Sequence, residues 1–228
     1  MYLIEGEDKA VLIDTGTRCA DLDKIVGQIT GKPLEVIVTH MHPDHAGCIK
    51  YFDKVWMHRA DTVLVPQHAA DYQGEFLYME EGQVFDLGGR KLEVAWMPGH
   101  TPGSVVLLDK ANGDCYSGDA FGSGEVWLQC VPMSPIATFH ESCCRMEKLM
   151  KEGHIKDIWC GHYPYLKSSL PLAYIQTMIR ISHRLMNGDQ EGSEPYSNYF
   201  IKMPPTARKL AEGRAMIVYD STNIPEAR

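Results

Sequence analysis

No apolar run in this chain approaches the ~20 residues needed to span a bilayer, and residues 1–10 are too polar and acidic for a secretory signal. No membrane partner is expected, and a cytoplasmic location is. Basic stripes are absent too. The formal charge is -8 over 228 residues, which argues against nucleic acid or an anionic membrane surface as the main partner. A small-molecule substrate fits better. The seven cysteines include no C-x-x-C. Their odd count, in a chain this large, points to reduced thiols and not to a disulfide framework. Most are expected to be small buried apolar residues, although Cys130 and Cys160 fall close in sequence to candidate site residues. Tandem repeats and low-complexity tracts are also missing. What remains is an ordinary globular composition, 44% hydrophobic and 23% charged, long enough for a single domain over residues 1–228.

One segment departs from that plain background. Thr39-His40-Met41-His42-Pro43-Asp44-His45 places three imidazoles and one carboxylate within six residues. Imidazole and carboxylate are the usual ligands of a catalytic zinc or iron ion. No packing requirement calls for this density of titratable groups. The motif follows the apolar stretch 34–38, which reads as a buried strand, so it sits on a strand-to-helix loop.

Periodicity and turn residues organise the rest. Hairpins are expected over 2–5 with 10–14, over 83–87 with 91–97, and over 104–108 with 115–117. Further strands are expected at 54–57, 157–160 and 215–219. Apolar spacing predicts helices over 21–29, 46–52, 142–152 and 172–186, a weak one over 60–70, and another over 207–212. The polar stretch 187–198 reads as a loop or lid, so residues 187–228 are expected to form a lid or C-terminal extension. The apolar, aromatic-rich stretch 196–201 is either a pocket wall or a homodimer interface. Hairpins beside β-then-α units imply an α/β fold of mixed sheets flanked by helices.

Three further fragments echo the opening motif. Pro98-Gly99-His100-Thr101-Pro102-Gly103-Ser104 puts a histidine in a turn between strands. Ser117-Gly118-Asp119 puts a carboxylate just past a strand, and Cys160-Gly161-His162 does the same with a histidine. Loops held by rigid strands are where chemistry is usually placed. Each fragment alone is more often structural. Together with the first motif they supply seven donors, enough for two metal ions with shared ligands. By contrast His58, His68, His140, His154 and His183 lack companion ligands in sequence and read as structural or surface residues.

The order T-H-x-H-x-D-H, Gly-His turn, Gly-Asp, Gly-His resembles the metallo-β-lactamase superfamily over about residues 1–165. The resemblance implies a four-layer αββα sandwich, with two mixed β-sheets face to face and helices outside. It also implies that His40, His42 and His100 hold one ion, that Asp44, His45 and His162 hold a second, and that Asp119 bridges them. Asp14, in Leu12-Ile13-Asp14-Thr15-Gly16, matches the family's buttressing aspartate, which orients ligating imidazoles. The bridging Asp119 and the Pro98–Ser104 turn are similar to the glyoxalase II and thioesterase side of the family, since its true β-lactamases lack that aspartate. Flavodiiron relatives carry Glu where this chain has His42. No counterpart of glyoxalase II's basic, glutathione-gripping helical domain is evident.

Two ions ~3.5–4 Å apart can bind one water between them and lower its pKa toward ~7. The resulting hydroxide would attack a thioester, ester or lactone carbonyl, with Asp44 accepting a proton. A phosphodiester is the alternative substrate. A mononuclear iron persulfide dioxygenase and a non-catalytic metal-binding scaffold are the rival functions. Zinc is the expected metal, with iron and manganese also compatible with a His/Asp set. Phe121, Trp127, Tyr163 and Tyr165 follow the ligands closely and are candidates for a substrate entrance, with Tyr163 a candidate oxyanion donor.

Overall fold

The computed structural model describes residues 1–122, 124–199 and 201–225. Its centre is built from short strands of apolar, often β-branched residues. The first sheet runs β1 (Tyr2–Glu5), β2 (Ala10–Ile13), β3 (Leu34–Ile37), β4 (Lys54–His58), β5 (Glu75–Met79). Only the β1–β2 pair is antiparallel; the remaining pairs are parallel. A second sheet contains β6 (Val84–Asp86), β7 (Lys91–Trp96), β8 (Val105–Asp109), β9 (Asp114–Gly118) and β11 (Asp157–Cys160), in the order β11-β9-β8-β7-β6. A smaller third sheet joins β10 (Glu125–Trp127) to β14 (Ala215–Asp220), β13 (Ala207–Glu212) and β12 (Glu194–Pro195).

Strand alternation decides the layering. Val11, Ile13 and Ile37 of the first sheet pack on Leu92, Val94, Val105 and Leu107 of the second. The intervening residues turn the other way. Leu12, Val36 and Val55 meet Leu22 and Val26 of helix α1 (Leu22–Ile29). Ala95, Val106 and Leu108 meet Phe139, Cys143, Ile175 and Met178, which lie on α4 (Ile136–Lys151) and α6 (Leu172–Met186). Helix, sheet, sheet and helix thus form the expected αββα sandwich. The short helices α2 (Pro43–Ala46), α3 (Val65–His68) and α5 (Tyr163–Leu166) follow β3, β4 and β11. Among the described residues no helix is long and apolar enough to cross a membrane.

Several elements differ from the sequence expectation. Residues 207–212 are the strand β13 and not a helix. The Gly213-Arg214 turn, with Gly213 at φ 62°, reverses the chain into β14 and pairs all six residues; a two-residue hairpin overrides helical propensity. Helix α4 begins six residues before the expected 142, because Ile136, Phe139, Cys143, Met146 and Met150 form one buried stripe. The segment 46–52 is divided between α2 and a 3₁₀ turn at Ile49–Tyr51, so Asp44 and His45 lie on a helical turn. Strands β5 and β10 were not expected. Most of the stretch 196–201 is described, but Phe200 lies outside the described residues, as do residues 226–228. The expected extension is woven into the fold, since β14 pairs in parallel with β10 and Val218 O accepts from Leu128 N at 2.7 Å. That pairing places Trp127 beside the site described next.

Candidate metal centre

The seven donors leave the ends of four strands. The loop and helical turn after β3 carry His40, His42, Asp44 and His45. The β7–β8 turn carries His100, and the turns after β9 and β11 carry Asp119 and His162. Backbone bonds tie these turns together: Val105 N donates to Thr39 O at 2.9 Å, and Gly161 N donates to Gly118 O at 2.8 Å. The approach is close enough to require glycine. A Cβ on Gly161 would lie 2.5 Å from His45 Cε1 and 2.8 Å from Asp119 Oδ1, and Gly118 sits at φ 50° against the Thr39 side chain.

Two donor groups result, His40 with His42 and His100, and Asp44 with His45, Asp119 and His162. Within each group the donor atoms lie no more than 4.8 Å apart. Asp119 touches both groups. Its Oδ2 is 3.0 Å from His162 Nε2 and 3.9 Å from His100 Nε2, and its Oδ1 is 3.4 Å from His45 Nε2. Asp44 Oδ2 lies 3.2 Å from His162 Nε2.

Outer hydrogen bonds fix which nitrogen of His100, His45 and His40 faces inward. His100 Nδ1 lies 2.7 Å from the Trp127 carbonyl, which can only accept, so Nδ1 carries the proton and the Nε2 lone pair faces inward, 2.9 Å from His42 Nδ1. His45 Nδ1 lies 2.7 Å from Asp14 Oδ2, which turns His45 Nε2 inward. The Thr39 hydroxyl donates to Asp14 at 3.0 Å and therefore accepts from His40 Nδ1 at 3.2 Å. His40 Nε2, His45 Nε2 and Asp119 Oδ1 are buried without a hydrogen-bond partner among the described residues. Buried polar atoms normally have partners. Buried imidazole nitrogens and a carboxylate oxygen that converge without hydrogen-bond partners suit a cation, so the residues fit divalent metal ions.

Electrostatics agree. Burial, then neighbouring His45 and His100, hold His40 well below the usual histidine range, and burial with His100 holds His42 at about 3. Both are neutral ligands at pH 7. His45 is the opposite case: burial pushes it down, but Asp119 and Asp14 outweigh this and raise it. Hydrogen bonds to Asp119 and Asp44 raise His162 to about 9. Burial pushes Asp44 up, yet the His162 hydrogen bond and the His45 charge bring it to about 2. In the cation-free protein, protons on His45 and His162 therefore balance the carboxylate charge.

One positioning residue was not found from the sequence. Asp61, buried in the 3₁₀ turn Arg59–Leu64, accepts from Met41 N at 2.9 Å, Thr101 Oγ1 at 3.0 Å and Gly103 N at 2.6 Å. It clamps the first ligand loop to the His100 turn. A lone Asp in Arg59-Ala60-Asp61-Thr62 gives no sequence signal for this. His68, structural or surface by its sequence context, brings its ring 5.7 Å edge-on to His42. The entrance candidates divide. Tyr165 is exposed, with its ring 6.0 Å from His162, and Tyr163 is partly exposed and packs near Trp159. Trp127 serves the site through its backbone carbonyl. Phe121 is fully buried in the core among α4 and α6 residues, so it lines no entrance. Burial and Asp44 push the Cys130 thiol up to about 11, and burial and Asp119 do the same to Cys160; both thiols lie in the field of the site carboxylates.

A His/Asp donor set at the strand ends of an αββα sandwich defines a metal-binding protein of the metallo-β-lactamase fold. Residues 1–140 match the Metallo-beta-lactamase superfamily, and the chain belongs to it. It is 26% identical over 202 residues to the human (Homo sapiens) acyl-coenzyme A thioesterase MBLAC2, covering 72% of each chain. It is 27% identical over 179 residues to the hydroxyacylglutathione hydrolase of Aeromonas salmonicida, covering 76% of this chain and 64% of that one. Among solved structures, TTHA1623 in a di-iron-bound form matches with TM-score 0.60 at 27% identity, over 75% of this chain and 89% of that one.

Asp61→Asn leaves one acceptor oxygen and turns an amide N–H₂ toward a backbone donor. It is expected to weaken divalent-metal affinity about 10–100-fold, the range for groups that orient ligands, in a competition titration against a chromophoric chelator; unchanged affinity would detach Asp61 from the site. Metal loading at pH 7 is expected to release protons from His45 and His162, because both are raised when the cation is absent. Apparent affinity should then climb with pH toward about 9. Calorimetry in buffers of different ionisation enthalpy measures the release, and a buffer-independent enthalpy would contradict it.

Proposed function

We propose that this chain is a binuclear metal-dependent hydrolase of acyl thioesters, with esters and lactones as related substrates. The observation that carries this reading is the convergence of seven oxygen and nitrogen donors, without sulfur, into two groups that meet at Asp119. A closed structural zinc site uses four ligands, usually including cysteine. His40, His42 and His100 would hold one ion, Asp44, His45 and His162 the other, with Asp119 between them. Zinc is the first expectation, and iron or manganese suit the same donors. Divalent ions held here would supply Lewis acidity and a water whose pKa is lowered toward ~7.

The chain's own groups do the remaining work. Asp14 and the Trp127 carbonyl keep His45 and His100 in the tautomers that point lone pairs inward. Asp44 is the most exposed of the site carboxylates, its side chain 39% accessible. Ionised at neutral pH, Asp44 Oδ2 can take a proton from an attacking water and, being the most exposed site carboxylate, release it to solvent or to the departing thiolate. Tyr163 and Tyr165, exposed and just after His162 in the chain, would flank an incoming acyl group. Similarity to an acyl-coenzyme A thioesterase and a hydroxyacylglutathione hydrolase supports a substrate whose acyl group sits on a thiol.

Purified, metal-loaded protein should hydrolyse acyl thioesters faster than lactones or phosphodiesters in a substrate panel. Asp44→Ala should lower kcat/KM by about 10²-fold or more, the lower end for a lost general acid–base group. Turnover of phosphodiesters alone would overturn the substrate class. A single iron with oxygen uptake and no hydrolysis would overturn the reaction class.

A further inference from the structure

A second cluster of metal-ligating side chains lies on the outer helical layer, away from the metal centre. His140 and Cys144 are four residues apart on α4 and so share one helical face. Their His140 Nε2 and Cys144 Sγ atoms are 3.5 Å apart. On the facing helix α6, Ser182 Oγ donates to Met178 O at 2.7 Å. A hydroxyl has one proton to give, so at its 2.9 Å contact with His140 Nδ1 Ser182 must accept. That fixes the tautomer: Nδ1 carries the proton, and Nε2 presents its lone pair to the sulfur. His183, next along α6, brings an exposed ring to 6.0 Å between centroids.

We propose that His140 Nε2 and Cys144 Sγ, completed by His183, form a second cation site that takes a soft divalent ion such as zinc or cobalt. The separation of the first two donors is the main argument. Zinc takes imidazole nitrogen at ~2.0–2.1 Å and thiolate sulfur at ~2.3 Å, and at a tetrahedral angle these lengths place N and S ~3.6 Å apart. The separation of the pair already matches that of two donors on one ion. The buried Ser182 holds the imidazole ring as outer partners hold ligating histidines elsewhere. Burial, then Glu147 and Glu141, raise the Cys144 thiol, so it keeps its proton until a cation displaces it. On binding, Cys144 loses its thiol proton to solvent as the sulfur–metal bond forms; His140 contributes its existing lone pair, and no oxidant or reductant is involved. His183 must rotate about its side-chain bonds to close the third position, and water can fill the fourth.

This site is separable from the metal centre because only it contains sulfur. Cobalt(II) added in increments to the full chain should give a thiolate-to-cobalt charge-transfer band in the near ultraviolet, with one equivalent bound beyond those held by the central donors. Cys144→Ser and His140→Gln should each abolish that band and that equivalent while leaving the central d–d spectrum in place. His183→Ala should shift half-saturation of the band to higher cobalt. Absence of the band in the native chain would overturn the site. So would a band that survives Cys144→Ser, which would assign the sulfur to Cys130 or another thiol. An unshifted titration in His183→Ala would overturn the three-ligand form.

Discussion

The buried carboxylate of Asp14 ties the end of the first sheet to the loop that supplies four of the seven donors. It stands just past β2 at φ 61°, a conformation that non-glycine residues rarely adopt. From there it accepts from Thr39 N at 2.7 Å, from the Thr39 hydroxyl, and from His45 Nδ1 at 2.7 Å. Thr15 extends the join, its backbone N–H and hydroxyl both donating to His45 O. Removal of this anchor would free the His40 and His45 rings to turn their lone pairs away from the centre. Backbone strain at Asp14 is therefore tied to the site it orients.

Asp14 and Asp61 divide the positioning work. Asp14 fixes the first ligand loop to the first sheet, and Asp61 fixes the same loop to the His100 turn of the second. The two sheets meet through an apolar interface, which keeps their strand ends in register but offers nothing polar to aim a ligand. The two carboxylates supply the aim. Charge balance follows from the same geometry. Three site carboxylates and five imidazoles crowd into a largely buried volume, and without a cation two of the imidazoles must carry protons. Metal ions would take over that positive charge.

Much of this was legible in the sequence because ligand chemistry is local. The four donors from His40 to His45 are adjacent in the chain, and His100, Asp119 and His162 each follow a recognisable strand and glycine. The sandwich was legible through the same strands and the family resemblance. What escaped depends on contacts between distant segments. Asp61 works through backbone donors 20 and 42 residues away, and no local pattern announces that. Residues 207–212 have helical composition but are captured by a hairpin partner. Phe121 follows a ligand in sequence, yet its side chain turns into the core. His140 reads as structural or surface from the sequence because its partner Ser182 lies on another helix.

On the proposed reading, seven side chains hold two ions around one shared carboxylate. Anomalous diffraction from a crystal of the metal-loaded protein, collected at the metal absorption edge, tests it most directly. Two peaks are expected at the strand ends, one ringed by His40, His42 and His100, the other by Asp44, His45 and His162, with Asp119 contacting both. A single peak at that edge, or two peaks that Asp119 does not join, would contradict the account.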